Sequence, residues 1–488
     1  MSKTLANAAG KAVVTNVVRS GEQLLIPNEM SIKDAIRLLQ ARAEYEEQAT
    51  TLRRTFSVFP WDGALALMRV LERRYGWANS VPTPGFFGDN PPELITVETG
   101  VNTTMQIPWG RMSLPGIEGW VHTITQKGSD GRVQFALVSE VKRKHEEQVK
   151  ALFDAVEAEA KASSIYRGKA VSMRFTDDDG DTLEIPRLSF VDTTGIGRNS
   201  AIYTADVERA LEVSLWAPIE RAQDCISNGI SLKRGVLLGG TYGTGKTLGM
   251  TVAAALAQAN GLTYVHVQRA DELPQAIIFA RQYQSPAAIV ACEDIDRTTD
   301  GQRTVEMDDL LNTIDGIDGK NSNIIVVLTT NHMEAINPAM LRPGRLDAVI
   351  EVTPPDAVAV ERLIRAYLGA SLPADADIRE AGRVLAGQIP AVVAEVCKRA
   401  KLAQLTQQAP GLKVRNLSAG AVIAAAQTME HQLKLLAKVM AKPAPAPTLD
   451  TAVAGLIVDG LKQHKMRLTG TALKGYEGHV SITAQAAN

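Results

Sequence analysis

Apolar residues recur at helical spacing near the start of the chain. In SIKDAIRLLQARAEYEEQ, Ile32, Ala35, Ile36, Leu38 and Leu39 share one face behind Ser31, a residue suited to N-capping. A second amphipathic helix is predicted over 61–77, and Pro82, Pro84, Gly85, Gly88, Pro91 and Pro92 then break the chain repeatedly. Short runs follow that suit strands and are separated by turn residues: ELITVETG, TMQIPWGRM, GWVHTITQ and RVQFALVSEV. EEQVKALFDAVEAEAKA returns to the helical period. KAVSMRFTDDDGDTLEIPRLSFVD reads as a hairpin turning at 177–181, where the acidic spacing does not match a calcium loop.

From about Tyr203 to Glu351 the pattern changes. Helical stretches alternate with short, unalternated apolar runs, GVLLGG, LTYVHV, AAIVAC and NIIVVLTT. Such runs predict an α/β fold whose parallel sheet is covered on both faces. Beyond Pro354, ERLIRAYLGA, IREAGRVLAG, PAVVAEVCKRAKLAQL and LSAGAVIAAAQTMEHQLKLL predict four helices. The expected organisation is an arm at 1–30, an α+β N-terminal region at 31–200, an α/β core at 201–353 and a small helical domain at 354–440. A Pro/Ala linker at 441–448 and a tail at 449–488 follow.

Composition narrows the functions. Lys plus Arg number 52 against 54 Asp plus Glu, so no global positive field recruits nucleic acid. Cys225, Cys292 and Cys397 are far apart and form no metal spacing, which suits a reducing compartment. The seven histidines do not cluster in sequence, and Trp61, Trp77, Trp109 and Trp120 are expected to pack the N-terminal region. No run is apolar and long enough for a spanning helix, and the start lacks a compact signal core; a cytoplasmic protein is expected.

The strongest chemical signal is Gly240, Thr241, Tyr242, Gly243, Thr244, Gly245, Lys246 and Thr247, a complete phosphate-loop pattern. An apolar strand precedes it and a small-residue helix beginning at Leu248 follows. Glycines let backbone N–H groups wrap phosphates, and the helix N-terminus adds positive dipole. Lys246 would neutralise β/γ-phosphate charge, and Thr247 would hold Mg²⁺. AAIVACEDID carries Glu293 and Asp294 to the tip of a second strand, where one carboxylate can serve the metal and the other can orient water. IIVVLTTN ends in Asn331, either a partner for the γ-phosphate or attacking water or a cap on the turn. In NPAMLRPGRLD, Arg342 and Arg345 flank a rigid Pro-Gly. They read either as a solvated corner or as arginines reaching phosphate in a neighbouring subunit.

Together these residues resemble the AAA family of ring-forming ATPases (AAA+ superfamily), in its classical clade, over about 216–430. GVLLGGTYGTGKT is similar to the strand entering the family's Walker A loop, and ACEDID stands at Walker B. TTN takes the sensor 1 place, and NPAMLRPGRLD the segment supplying arginine fingers. LLNTIDGIDG, with Asp315 and Gly316, resembles the family's helix ending in Asp-Gly. The resemblance implies an AAA+ core followed by a helical lid. Nucleotide would bind between them, at Gly240 through Leu248, with Mg²⁺ at Thr247 and Glu293. Catalytic roles would fall to Glu293, Asp294, Asn331, Arg342 and Arg345. It also implies a homo-oligomeric ring, usually a hexamer, that remodels a protein client or adaptor bound by the N-terminal region.

Three departures stand out. Walker B normally ends Asp-Glu, but here the order is Glu293-Asp294. VQRADELPQAIIFARQYQSP is short for a pore loop and has no aromatic-glycine paddle, leaving the region around 298–305 as a different, polar candidate. Pro390-Ala391 stands where the lid usually has Gly-Ala. Two further function classes stay open: a nucleic-acid-associated motor or loader, although no basic pore lining indicates it, and an ATP-switched structural ring with little turnover.

Overall fold

The computed structural model describes residues 23–27, 30–76, 79–85, 88–177, 179, 181–295, 323–333, 346–409 and 411–440, together with five short strands toward the termini. Trp77, Thr298–Val305, Asp315, Gly316, Arg342, Arg345 and the 441–448 linker lie outside these residues.

The N-terminal α+β region has its own sheet. Its five strands run in the order Ala49–Phe56, Val133–Lys142, Gly119–Lys127, Arg111–Ser113, Asn79–Ser80, all antiparallel. Helix Pro60–Tyr75 begins with its proline in the first turn and ends at Gly76, which takes the left-handed conformation a C-cap needs. It packs against the sheet so closely that a Cβ on Gly63 would fall 2.2 Å from the Phe135 ring. Helix Ile32–Glu47 has the expected N-cap, with Ser31 Oγ accepting the Asp34 N–H at 3.2 Å. Its expected apolar face is not covered among the described residues. Only Ala35 is buried, and Ile32 remains 68% exposed. The end of this helix is held by polar contacts instead. Arg143 lies 4.3 Å over the Tyr45 ring, and Lys142 and Lys144 pair with Glu47 and Glu118.

The α/β core contains a seven-stranded sheet. Its strands in chain order are β1 (Ala170–Thr176), β2 (Thr182–Phe190), β3 (Arg234–Gly239), β4 (Thr263–Val267), β5 (Ala288–Cys292), β6 (Ile324–Thr330) and β7 (Ala348–Glu351). The spatial order is β2-β1-β4-β5-β6-β3-β7, parallel throughout except for the edge strand β2. The predicted hairpin is thus the outer margin of this sheet: β1 runs parallel to β4, in register from Ala170 opposite Tyr264. The four apolar runs appear as β3 to β6, and β7 is an additional strand of four residues. Both faces are buried. Along β6, Ile324, Val326 and Leu328 enter one apolar cluster while Ile325 and Val327 enter the other.

The first cluster continues into the N-terminal region. Phe59 meets Phe279 edge-on at 5.6 Å and Tyr166 at 5.8 Å, and Phe279 lies 5.0 Å from Tyr283. Asp62, 1% exposed, sits beside this aromatic group and accepts the Ile165 N–H at 2.9 Å and the Ser164 hydroxyl at 2.7 Å. The Tyr283 hydroxyl also serves it while accepting the Phe59 N–H at 2.8 Å. Burial pushes the Asp62 carboxyl above the usual range, against the pull of these donors.

The four predicted C-terminal helices are Ala357–Leu368, Arg379–Leu385, Pro390–Leu405 and Ala419–Met440. A second compact unit comprises Leu368–Leu385 and the chain from Glu395 onward. Leu372, Ile378, Leu385, Val396, Val422 and Met429 are buried there, and Arg399 donates to Gln432 Oε1 at 2.8 Å. Among the described residues no helix is long and apolar enough to cross a membrane.

Candidate functional site

The phosphate loop joins β3 to helix Lys246–Ala259. Its turn needs glycine at two points above all. Gly240 has φ +146° with Val352 O 2.5 Å from where a Cβ would stand, and Gly245 has φ +102° as it enters the helix. Lys246 is 6% exposed; its ammonium donates to Gly240 O at 2.7 Å and Thr241 O at 2.9 Å. Thr244 Oγ1 donates to Thr241 O at 3.0 Å. The loop therefore curls around its own cation, and phosphate oxygens would compete with these carbonyls for the ammonium. Thr247 and Leu248 are exposed on the first helical turn. Tyr242 is exposed at the loop tip with its ring edge-on to His332, 6.4 Å away.

Tyr203, a residue the sequence reading did not single out, supports the loop from below. It is 4% exposed and donates its hydroxyl to Gly245 O at 2.8 Å. A Cβ on Gly249 would lie 2.9 Å from that hydroxyl, so the small residue makes room for it. Burial raises the phenol's pKa, keeping it a donor. Its backbone is held in turn. Tyr203 N–H donates to Glu208 Oε1 at 3.3 Å, and Glu208 pairs with Arg362 at 2.8 Å. On the loop's other side, Ile389, just before Pro390-Ala391, lies 3.0 Å from the position of a Gly243 Cβ.

The acidic residues follow β5, whose five residues are all buried. Glu293 and Asp294 emerge at its carboxyl end, beside the end of β6. Asp294 has φ +43°, a left-handed conformation rare outside glycine but tolerated by aspartate. Its N–H donates to Thr329 Oγ1 at 2.9 Å, and its Oδ1 accepts Asn331 Nδ2 at 2.8 Å. Glu293 Oε1 is 3.8 Å from His266 Nε2 on β4, and His266 Nδ1 meets Ser172 Oγ on β1 at 3.3 Å. Burial holds the imidazole pKa down, favouring its neutral form. Burial also pushes the Cys292 thiol well up, so that sulfur is inert packing.

The fold thus brings Asp294 and Asn331 into direct contact and stations Tyr242 against the residue after Asn331. Left-handed glycines, a buried ammonium and a helix start suit a polyphosphate. A hydroxyl from Thr247 and a carboxylate from Glu293 are hard oxygen donors of the kind Mg²⁺ takes alongside phosphate. After β4 the chain makes a short turn, Ala270–Glu272, in which Glu272 Oε2 accepts the Gln268 and Arg269 N–H groups at 3.3 and 3.2 Å. Arg269 forks onto Asp271 at 2.9 and 2.8 Å. Thr329, His266 and Tyr203 were missed because their roles depend on neighbours 35 to 42 positions away or on another strand. The local trace is the Thr329-Thr330 pair, polar at the end of an apolar run.

Residues 236–354 match the model of the ATPase family associated with various cellular activities (AAA). The chain is 30% identical over 219 residues to the cell division control protein 48 homolog B of Arabidopsis thaliana, covering 41% of this chain and 35% of that protein. It is 28% identical over 288 residues to the proteasome-activating nucleotidase of Archaeoglobus fulgidus, covering 54% and 65%. An "AAA ATPase forming ring-shaped complexes" from Corynebacterium jeikeium is 30% identical over 221 residues, 41% of each chain. The chain spans from about a third to just under two thirds of the length of these curated relatives. The central α/β region is therefore an ATPase domain of the AAA family, related to those of Cdc48-like and proteasome-activating ATPases.

Proposed function

We propose that this protein assembles into a ring, a hexamer by family resemblance, and hydrolyses ATP to remodel, disassemble or translocate a protein client in the cytoplasm. The client or an adaptor would engage the N-terminal α+β region. The observation that carries the reading is the convergence of a complete phosphate loop with Asp294 and Asn331 at the ends of neighbouring parallel strands. The ring is supported by the relatives' domains, one of which is named for ring-shaped complexes.

In this mechanism Lys246 exchanges its two loop carbonyls for β- and γ-phosphate oxygens. Thr247 and Glu293 would hold Mg²⁺, which would supply charge neutralisation at the phosphates. Asp294 orients the attacking water, and Asn331 holds Asp294 and the γ-phosphate in common register. Arg342 and Arg345 of the adjacent protomer would stabilise the charge on the transferred phosphoryl group. Water adds to the γ-phosphorus as its bond to the bridging oxygen breaks, leaving ADP and phosphate.

Phosphate release tests the reading. The purified chain with ATP and Mg²⁺ should turn over, and Lys246→Ala should lower the rate at least about 100-fold, the scale of losing an electrostatic contact made to the transferred group. Equal release by that variant would overturn the site assignment. Light scattering with nucleotide present should show a mass several times that of the protomer; a monomer under turnover conditions would remove the ring.

A further inference from the structure

The Glu293-Asp294 order places the shorter carboxylate where the AAA resemblance puts the water-orienting one, and the backbone there is unusual. We propose that Thr329 is a positioning residue for hydrolysis: its hydroxyl fixes the left-handed backbone of Asp294, so that the shorter side chain reaches its working place. The inference rests on the ATPase reading above.

Thr329 is the penultimate residue of β6 and is 1% exposed. It continues the series Ile325, Val327, whose side chains are apolar and buried on one face. A hydroxyl there has a desolvation cost unless it is bonded, and its oxygen accepts the Asp294 N–H at 2.9 Å. The same residue's carbonyl accepts the Ile295 N–H at 3.0 Å. Asn331, two residues further and so on the same side, donates to Asp294 Oδ1 at 2.8 Å. One strand end thus grips Asp294 by its backbone and by its side chain. The φ of +43° sets the direction in which the carboxylate leaves the chain. Aspartate accepts that conformation more readily than glutamate. The exchanged order is then a matched set of backbone and side chain.

The test compares Thr329→Val, which keeps the shape and removes the acceptor, with Thr329→Ser, which keeps the acceptor, in the full-length protein. A displacement near 1 Å at a reacting group costs on the order of 100-fold. For Val, kcat should fall about 10- to 100-fold with the KM for ATP within about twofold, and Ser should return kcat to within about threefold of wild type. Equal kcat for Val and wild type overturns the proposal, as does a loss in Ser equal to that in Val. Asp294→Glu, with Thr329 intact, gives a measurement independent of how the valine variant folds. Its kcat should fall; a gain would show the order to be a defect and not a matched set. Lys246→Ala separates the two levels: if wild type and Lys246→Ala release phosphate alike, the ATPase reading fails, whereas a normal Lys246 effect with a silent Thr329→Val sinks this inference alone.

Discussion

Replacing Asp62 by alanine tests the polar contact between helix Pro60–Tyr75 and the segment that leads into the ATPase sheet. The carboxylate accepts the Ile165 N–H, the Ser164 hydroxyl and a bond from Tyr283, in a site 1% exposed. A buried donor left unpaired costs about 1–3 kcal/mol, and the two hydroxyls forfeit about 0.5–1.5 kcal/mol each unless they rotate to new acceptors. The expected loss is about 2–6 kcal/mol, a large share of ordinary domain stability. Urea unfolding followed by tryptophan emission reads it, because Trp61 packs at 6.3 Å from the adjacent Phe59. Asp62→Asn separates charge from shape. Burial raises the folded-state pKa of Asp62 above the ordinary value of about 4, so the folded protein holds that proton more tightly than the unfolded chain. Its contribution is fully present below pH about 4 and declines as pH rises through the raised value; asparagine, which cannot ionise, escapes that decline. The stability difference should therefore move in favour of the asparagine variant between pH about 4 and about 7. A difference that is constant with pH, or one that moves toward wild type, refutes the role assigned to burial. An alanine variant within about 0.5 kcal/mol of wild type refutes the hydrogen-bond reasoning.

Gly63→Ala would drive a methyl to 2.2 Å from the buried Phe135 ring, and overpacking of this kind costs about 1–3 kcal/mol or more. Its urea midpoint should fall with the slope unchanged, and an unaltered midpoint would mean the helix can lift off the sheet freely. Tyr203→Phe removes only the hydroxyl on Gly245 O; loosening the loop should weaken ATP binding about 2- to 10-fold, measured by titration with a fluorescent ATP analogue. Unchanged affinity would leave Tyr203 a packing residue.

The sequence revealed the elements whose signal is local. The buried strands β3 to β6 follow from four short apolar runs, and the C-terminal helices from their period. The phosphate loop was legible because its chemistry dictates residue types at fixed spacing. Strand Ala49–Phe56 was not, since ATTLRRTF is polar and gains its pairing from Val133–Lys142. β7 is only four residues long and borrows its order from β3. That the hairpin joins the ATPase sheet was equally hidden, because β1 pairs with β4 across more than ninety residues and parallel pairing has no local signature. The apolar face of Ile32–Glu47 shows the converse: periodicity predicts a helix correctly without saying what covers it.

With the outer side of β4 taken by the hairpin, an incoming strand would have to dock on Thr182–Phe190. That segment presents exposed Glu184 and Arg187, and Pro186 contributes no amide hydrogen. The opposite margin, Ala348–Glu351, is too brief to template a long ladder. Both rims are therefore poor seeds for runaway cross-β association, so any contact between copies of this domain would have to use other surfaces, which can part without unzipping a backbone ladder.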